Sequence, residues 1–488
     1  MKYIIAHDFG TSAAKSALIT TDGQLVKTAT AEYPTYREKE GWVEQDPEDW
    51  WKVFCANNRI LTEGIDKNDI LCVCNDGTTS DTVLIGEDGK PLRNAIIWMD
   101  NRAIKEGKEI TAMLTPEMAE GRRFIGPGRS GVSLYWIKKN LPDVFAKAKH
   151  WIPNNHNYII YKLTGKNVTD RIVAWSGALV DTDRKDWTWA LIDQMGIPKH
   201  LIPEMHDMAD VAGEILESVA DEAGLAPGTK VVIGTADGDI NRYGSGIIHK
   251  GDTSISCGTS GGVSCVGSPV SFPGTSNSGN TLEWLRKTIC IEEDKQAAAT
   301  GESVFTIMLD QNAAQAPLGS NGVIFCPYLA GERGIRTNNK AKAFFTGVSL
   351  KTTHNDLIRA VIEGVGYNLN EILVKHRAAG MDIKAVTAMG GMSKSPFVRQ
   401  VFADILNAEV YTIKNAGWAA VIGNAVLACV AMGIYKDVDE GVSVMVQKDT
   451  ATKPIPENAE KYAKYFHVFE EAYQSQVAVF DELWELGA

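Results

Sequence analysis

The stretch from Tyr3 to Tyr33, YIIAHDFGTSAAKSALITTDGQLVKTATAEY, decides the fold of this chain. An apolar run ends at the carboxylate of Asp8 and turns through Gly10, Thr11 and Ser12. It returns as AAKSALIT, then turns again at Asp22 and Gly23 into QLVKTATAEY. Short runs punctuated by Gly, Asp, Thr and Ser read as consecutive antiparallel strands, a β-meander. The same punctuation returns at Asp252 to Gly267, DTSISCGTSGGVSCVG, as strand, Gly258-Thr259-Ser260 turn and strand. Two hairpins with phosphate-sized turns, one in each half, predict a duplicated α/β architecture.

Outward from these hairpins the signals alternate. Pro47 to Trp51 opens a helix with Asp46 as N-cap and acidic residues in its first turn. VVIGTADGDI reads as a buried strand entering a loop and a helix, and AVTAMGG feeds a helix over Ser395 to Leu406. Leu357, Ile358, Val361, Ile362, Val365, Leu369 and Ile372 form one apolar helical stripe. Tyr462, Phe466, Phe469, Tyr473, Val477, Phe480 and Trp484 form another at spacings of three and four. A chain of 488 residues exceeds what one core supports. No long polar linker divides it, so domains 1–246 and 247–488 are expected to meet at a hinge near Gly244 to Gly251.

Composition narrows the function. Hydrophobic residues at 44% and charged residues at 23% are ordinary for a chain that folds in water. The opening MKYIIAHDFG is too short and too early interrupted by charge for a signal peptide, and no apolar run is long enough to span a bilayer, so a cytoplasmic protein without membrane contact is expected. A formal charge of -12 without a basic run argues against a nucleic-acid partner. It leaves room for a single nucleotide. Cys72 and Cys74 alternate in the run ILCVC and read as small apolar packing residues rather than a disulfide or metal pair.

Four places carry candidate chemistry. At Asp8-Phe9-Gly10-Thr11-Ser12 a carboxylate at a strand end precedes a tight turn of backbone donors and hydroxyls. That combination suits a phosphate with hydrated magnesium, or an ordinary hairpin. The turn at Gly258, Thr259 and Ser260 has the same ambiguity. Asp237, after the VVIG strand, is placed to accept the proton of an attacking hydroxyl, whereas Asp239 reads as a helix cap. Gly390, Gly391 and Ser395 join a strand to a helix and allow close approach of a flat ring or phosphate, without Walker or dinucleotide spacing. Trp98, Asp100 and Arg102 set an aromatic face beside charged neighbours and either line a ligand pocket or pack at a strand end beside a surface ion pair. His7 and His156 read as structural, and Glu332 with Arg333 as an ion pair tying domains together.

Taken in order, DFGTS, GWVEQDPEDWW (Gly41 to Trp51), AIIWMDNRA, LTG followed by VTD, GTADGDINRYGSG, SCGTSGG, YLAGERG and MGGMSKSPFVRQVFADIL resemble the FGGY carbohydrate kinases. Ala343 to Val348, continued by Asp356, Leu357, Ala360 and Glu363, is similar to that family's C-terminal signature. The resemblance covers nearly the whole chain. It implies two ribonuclease H-like domains of the actin and hexokinase ATPase type flanking a catalytic cleft, the first binding a small sugar or polyol and the second ATP. It further implies Asp8 near Mg2+, Thr11 and Ser12 on the phosphates, and Asp237 as general base. Gly258 and Thr259 would meet the β- and γ-phosphates. Gly390, Gly391 and Ser395 would border the adenosine, and the substrate loop would run from Gly77 through Thr78 to Thr79, Ser80 and Asp81, the last three binding the substrate.

Among substrates the resemblance favours D-xylulose or a related ketopentose, with tetritols, gluconate and glycerol behind it. A homodimer would be ordinary for such an enzyme. The substrate loop departs from the xylulose pattern, Ser133 stands where the family has Lys, and Gly423-Asn424-Ala425 replaces Gly-Ala-Ala, a change expected to touch the nucleotide domain. The rival classes are a non-catalytic sugar-binding regulator and an actin- or chaperone-like ATPase.

Overall fold

In the computed structural model, residues 2–119, 124–181, 183–270, 274–332 and 334–487 are described. The chain packs as two units, Met1–Gly246 with Trp418–Val446, and Ile247–Gly417 with Gln447–Ala488. The segment Trp418–Val446 lies in the C-terminal half of the sequence, yet it packs within the first unit.

The opening meander forms half of the first sheet. β1 (Tyr3–Phe9), β2 (Ala13–Thr20) and β3 (Leu25–Glu32) are antiparallel neighbours. On the other side of β1 lie the parallel β4 (Ile70–Gly77) and β6 (Lys230–Val232), edged by the antiparallel β5 (Val211–Glu214). The order β3-β2-β1-β4-β6-β5 puts β1 near the middle, and its Ile4, Ile5 and Ala6 are fully buried. Edge strand β3 alternates exposed and partly buried residues instead.

Helix α1 (Pro47–Thr62) begins where expected, with the Asp46 carboxylate accepting the Glu48 N–H at 2.9 Å and Pro47 at its first position. It buries Trp50, Trp51, Phe54 and Leu61 against β2 and β3. Helix α2 (Asp237–Gly244) crosses the Ala419–Ala431 helix so closely that a Cβ on Gly244 would overlap the Ala419 carbonyl, and one on Gly423 the Ile240 carbonyl. Only glycine permits that crossing. It seats the Ala419–Ala431 helix against β1 and β4.

The second unit repeats the spatial pattern of strand directions. β7 (Thr253–Cys257), β8 (Gly261–Cys265) and β9 (Gly274–Thr275) are antiparallel neighbours. β10 (Ala385–Met389) and β11 (Glu409–Ile413) continue parallel from β7, with the antiparallel β12 (Lys448–Thr452) at the edge. The order β9-β8-β7-β10-β11-β12 matches the first sheet in its succession of antiparallel and parallel neighbours, but the edge strand β12 follows β11 in the chain whereas β5 precedes β6.

Helices α3 (Gly279–Thr288), α4 (Ile291–Thr300), α5 (His354–Ala378), α6 (Pro396–Leu406) and α7 (Pro456–Glu485) complete this unit. Its core joins the α5 stripe of Ile358, Val361, Ile362, Val365 and Leu369 to Phe402 of α6 and Phe469 of α7. The C-terminal stripe holds through Phe480, whereas Trp484 is exposed because the final turn runs past the body. All eight cysteines are free and buried, with Cys72 and Cys74 in the interior of the first sheet. No helix among the described residues is long and apolar enough to cross a membrane.

Candidate active site

The parallel pairing of β1 and β4 sets Asp8 directly opposite Asp76 at the ends of their strands. Burial pushes both carboxyls above the usual carboxylate range. Asp76 rises furthest because Asp8 and Asp237 add like charge, and Lys15, across the hairpin from Asp8, draws Asp8 back down. Asp237 opens α2, where its carboxyl is raised to about 6 by burial and by the charge of Asp8, against the lowering effect of the Gly238 N–H. Asn424, fully buried, donates its amide to the His7 carbonyl at 3.0 Å and to Asp76 Oδ2. Asp76 Oδ1 is buried with no partner.

Around the first turn, Gly10 N–H reaches the Ala13 carbonyl at 3.1 Å, and Gln45 Nε2 holds the Thr11 carbonyl at 2.6 Å. The Thr11 hydroxyl accepts from the indole of Trp98 at 3.2 Å, and Ser12 lies in the same turn. Trp98 is 46% exposed, a flat apolar face open to solvent beside that hydroxyl. Asp81 is fully buried and accepts from Thr78 Oγ1 at 2.8 Å, from the Asn155 N–H at 3.3 Å and from the Trp98 backbone. Burial still pushes its carboxyl up to about 7. Ser80 is buried in a left-handed conformation with its hydroxyl unpartnered, and Thr79 precedes it half-buried. Thr11, Trp98 and Asp81 therefore share one corner of the first unit.

Asp100 is a different case. Its carboxylate takes Arg102 Nε at 2.9 Å and Nη2 at 2.7 Å, and the Val43 N–H at 2.6 Å, leaving no free acceptor direction toward a ligand. This ion pair is buried rather than on the surface, with the guanidinium 3.8 Å from the Trp42 ring centroid. Asp100 thus fixes the strand end that carries Trp98. Asp239 does not cap α2 either: the helix starts two residues earlier, and Asp239 pairs with Arg242 at 3.1 Å.

In the second unit a cavity of about 800 Å³ opens at the end of β7. Gly258 and Thr259 line one side, Gly391, Met392, Lys394 and Ser395 another, and Phe305, Leu309 and Asp310 a third. Gly390 has φ +99°, and a Cβ there would lie 2.5 Å from the Cys257 carbonyl carbon and oxygen, so two backbone segments meet at a distance only glycine allows. Ser395 caps α6 by accepting the Val398 N–H at 3.1 Å and donates to Asp310 Oδ1 at 2.5 Å.

Sequence reasoning missed Asp76, Asn155 and Asn424 as members of the first-unit cluster. A signal for Asp76 existed: Asn75 and Asp76 interrupt an otherwise apolar buried strand. Asn424 gave none, because a helix 348 positions away delivers it. The Asn424 departure touches the carboxylate cluster of the first unit, not the nucleotide domain. Ser133 is buried within the Ser130–Asn140 helix. His7 and His156 are buried and held neutral, each pushed down to about 3, as fits a structural role. Glu332 accepts from Thr275 Oγ1 at 2.6 Å and the Gly334 N–H at 2.6 Å inside the second unit, and Arg333 lies outside the described residues.

Two sheets of one ribonuclease H-like strand arrangement, the first ending in buried carboxylates and the second in a glycine-lined cavity, define a protein of the actin and hexokinase ATPase class. Within that class, models of the N-terminal and C-terminal domains of the FGGY family of carbohydrate kinases match residues 3–244 and 267–432, and the chain belongs to that family. It is similar to a xylulose kinase of Bacillus subtilis, 28% identical over 497 residues that cover 97% of each chain. A ligand-bound xylulose kinase from Lactobacillus acidophilus superposes with a TM-score of 0.81 at 28% identity, covering 99% of this chain and 100% of that one. A gluconate kinase from the same organism gives 0.82 at 27% identity, covering 99% of this chain and 99% of that one.

Proposed function

We propose that this carbohydrate kinase transfers the γ-phosphoryl group of ATP to a primary hydroxyl of a small open-chain sugar, with D-xylulose or a related ketopentose first among candidates. The observation that carries this reading is Asp237, a buried carboxylate at the head of α2, raised to about 6 beside Asp8 and so poised near neutral pH to take a proton. The substrate hydroxyl gives its proton to Asp237 as its oxygen bonds the γ-phosphorus, and the bond from γ-phosphorus to the bridging oxygen breaks to release ADP. Thr11, Ser12, Gly258 and Thr259 supply hydroxyl and backbone donors to the phosphates. Gly390, Gly391 and Ser395 border the adenosine in the second unit's cavity.

Asp8 and Asp76 are the residues that would hold magnesium. Two adjacent carboxylates, both raised by burial, with an orphaned buried oxygen on Asp76, make an all-oxygen donor set that suits a hard divalent cation. Magnesium, when bound, supplies positive charge to the phosphates. For the sugar, Asp81 and the Ser80 hydroxyl bind hydroxyl groups, Thr79 borders them, and the exposed face of Trp98 packs on C–H groups.

The xylulose kinase relatives support a ketopentose, and the gluconate kinase neighbour supports a sugar acid as second reading. The acidic surroundings of Asp8, Asp81 and Asp237 favour a neutral polyol over a carboxylate. Such an enzyme would act in the cytoplasm, where ATP is available. The test is ADP release by the purified protein with ATP and magnesium across ketopentoses, tetritols, glycerol and gluconate. Stimulation by a ketopentose supports the reading, stimulation by gluconate alone selects the second, and sugar-independent turnover sinks both.

A further inference from the structure

We propose that Cys290, Glu293 and His354 form a binding site for a divalent transition metal of the zinc class, within the second unit and separate from the residues assigned to the nucleotide. One ligating atom from each, a thiol sulfur, a carboxylate oxygen and an imidazole nitrogen, lies within 4.8 Å of the other two. Local structure accounts for the arrangement. Cys290 occupies the position before α4 and Glu293 its first turn, a spacing of three that puts both side chains on one face. His354 is the first residue of α5, whose start is pinned by the capping box between Thr353 and Asp356.

The carboxylate supplies an independent observation. Glu293 is 5% exposed, and its Oε1 already meets His354 Nε2 at 2.6 Å and Asn312 Nδ2 at 2.7 Å. Its Oε2 is buried with no partner at all. No lysine or arginine among the described residues pairs with Glu293, so a buried carboxylate oxygen stands without a donor or a cation, a costly state that a bound metal relieves.

The donor set chooses the metal. A thiolate and an imidazole select zinc, cobalt or nickel over magnesium, and three protein ligands leave one coordination position for water. Cys290 is fully buried while the His354 side chain is 45% exposed, so the ion enters from the histidine side. Uptake displaces the proton of the Cys290 thiol to solvent and involves no redox change. The bound ion would tie the start of α4 to the start of α5. Through Asn312 it would also brace the turn Thr306–Asn312, which carries Thr306, Leu309 and Asp310 of the cavity wall.

The experiment uses the full chain, stripped with chelator and free of any affinity tag, and Co2+ as the probe. One equivalent should produce a thiolate-to-cobalt absorption band in the near ultraviolet that Zn2+ displaces and excess Mg2+ does not. Cys290→Ser should abolish the band, and His354→Gln should weaken binding by at least about tenfold. Zn2+ should raise the unfolding temperature of the wild type more than that of His354→Gln at the same metal concentration, since the exposed side chain of His354 spares the core. Absence of a thiolate band in the wild type overturns the site, as does a band or a Zn2+ stabilisation that His354→Gln leaves intact.

Discussion

β1 and β7 hold the same place in sheets of the same spatial pattern, yet their ends differ in kind. β1 ends at Asp8, opposite Asp76 on β4, with Asp237 close enough to raise Asp76 and to be raised by Asp8. β7 ends at Cys257, and the strand beside it, β10, leads into Gly390, whose missing Cβ lets the two backbones meet. One strand end gathers buried charge, and the other removes side chains and leaves a cavity. The difference teaches that the duplicated scaffold decides where a site lies, while the residues at the strand end decide whether buried charge or an open cavity stands there.

The strongest way to break this contrast is Asp237→Asn. It should lower kcat by about 10²–10⁴-fold while ATP affinity, read by calorimetry, stays within twofold or so. Retention of most turnover would remove proton chemistry from the first unit. Gly390→Ala attacks the other side: strain of about 1–3 kcal/mol at φ +99° against the Cys257 carbonyl should raise the ATP KM by roughly 10–100-fold. The sugar KM should be spared, and equal damage to both would mean the two strand ends are not functionally distinct.

Trp98→Ala should raise the sugar KM about tenfold by deleting the apolar face beside Thr11, with the ATP KM unchanged. Ser395→Ala removes the α6 cap and the contact to Asp310, and should cost about 1 kcal/mol in thermal or urea unfolding. The smallest change expected is in a pH profile. A base must be deprotonated, so kcat/KM should fall on the acid side through about pH 6, where Asp237 takes up its proton. Asp239→Asn withdraws one of the charges raising Asp237, so the acid limb should move to lower pH. A limb that stays put would assign it to another group.

Much of the architecture was legible in particular residues. The turns at Gly10, Gly23 and Gly258 marked the hairpins, Asp46 and Ser395 marked helix starts, and the Val361 to Leu369 stripe marked the core-facing side of α5. These are local signals, set by backbone preference and by hydrophobic period. Asp8 and Asp237 were legible as candidates for the same reason, each a carboxylate next to a strand end.

Roles that depend on distant partners were not legible. Asp100 looked like a sugar ligand until Arg102 and the Val43 N–H were seen to occupy its oxygens. Asp239 looked like a cap until α2 proved to start at Asp237. Asn424 meets Asp76 only because glycines at 244 and 423 let two helices cross and bring the Ala419–Ala431 helix back to the first sheet.

By itself, then, the sequence determined the class of fold, its duplication, the family and the positions of the two strand-end turns, because those rest on short-range chemistry. Tertiary structure alone decided which carboxylates share a buried cluster, which are already neutralised by a partner, and which side chains face an open cavity. The physical reason is that burial and long-range pairing, not residue type, set whether a carboxylate is a proton acceptor, a structural anchor or a cation ligand.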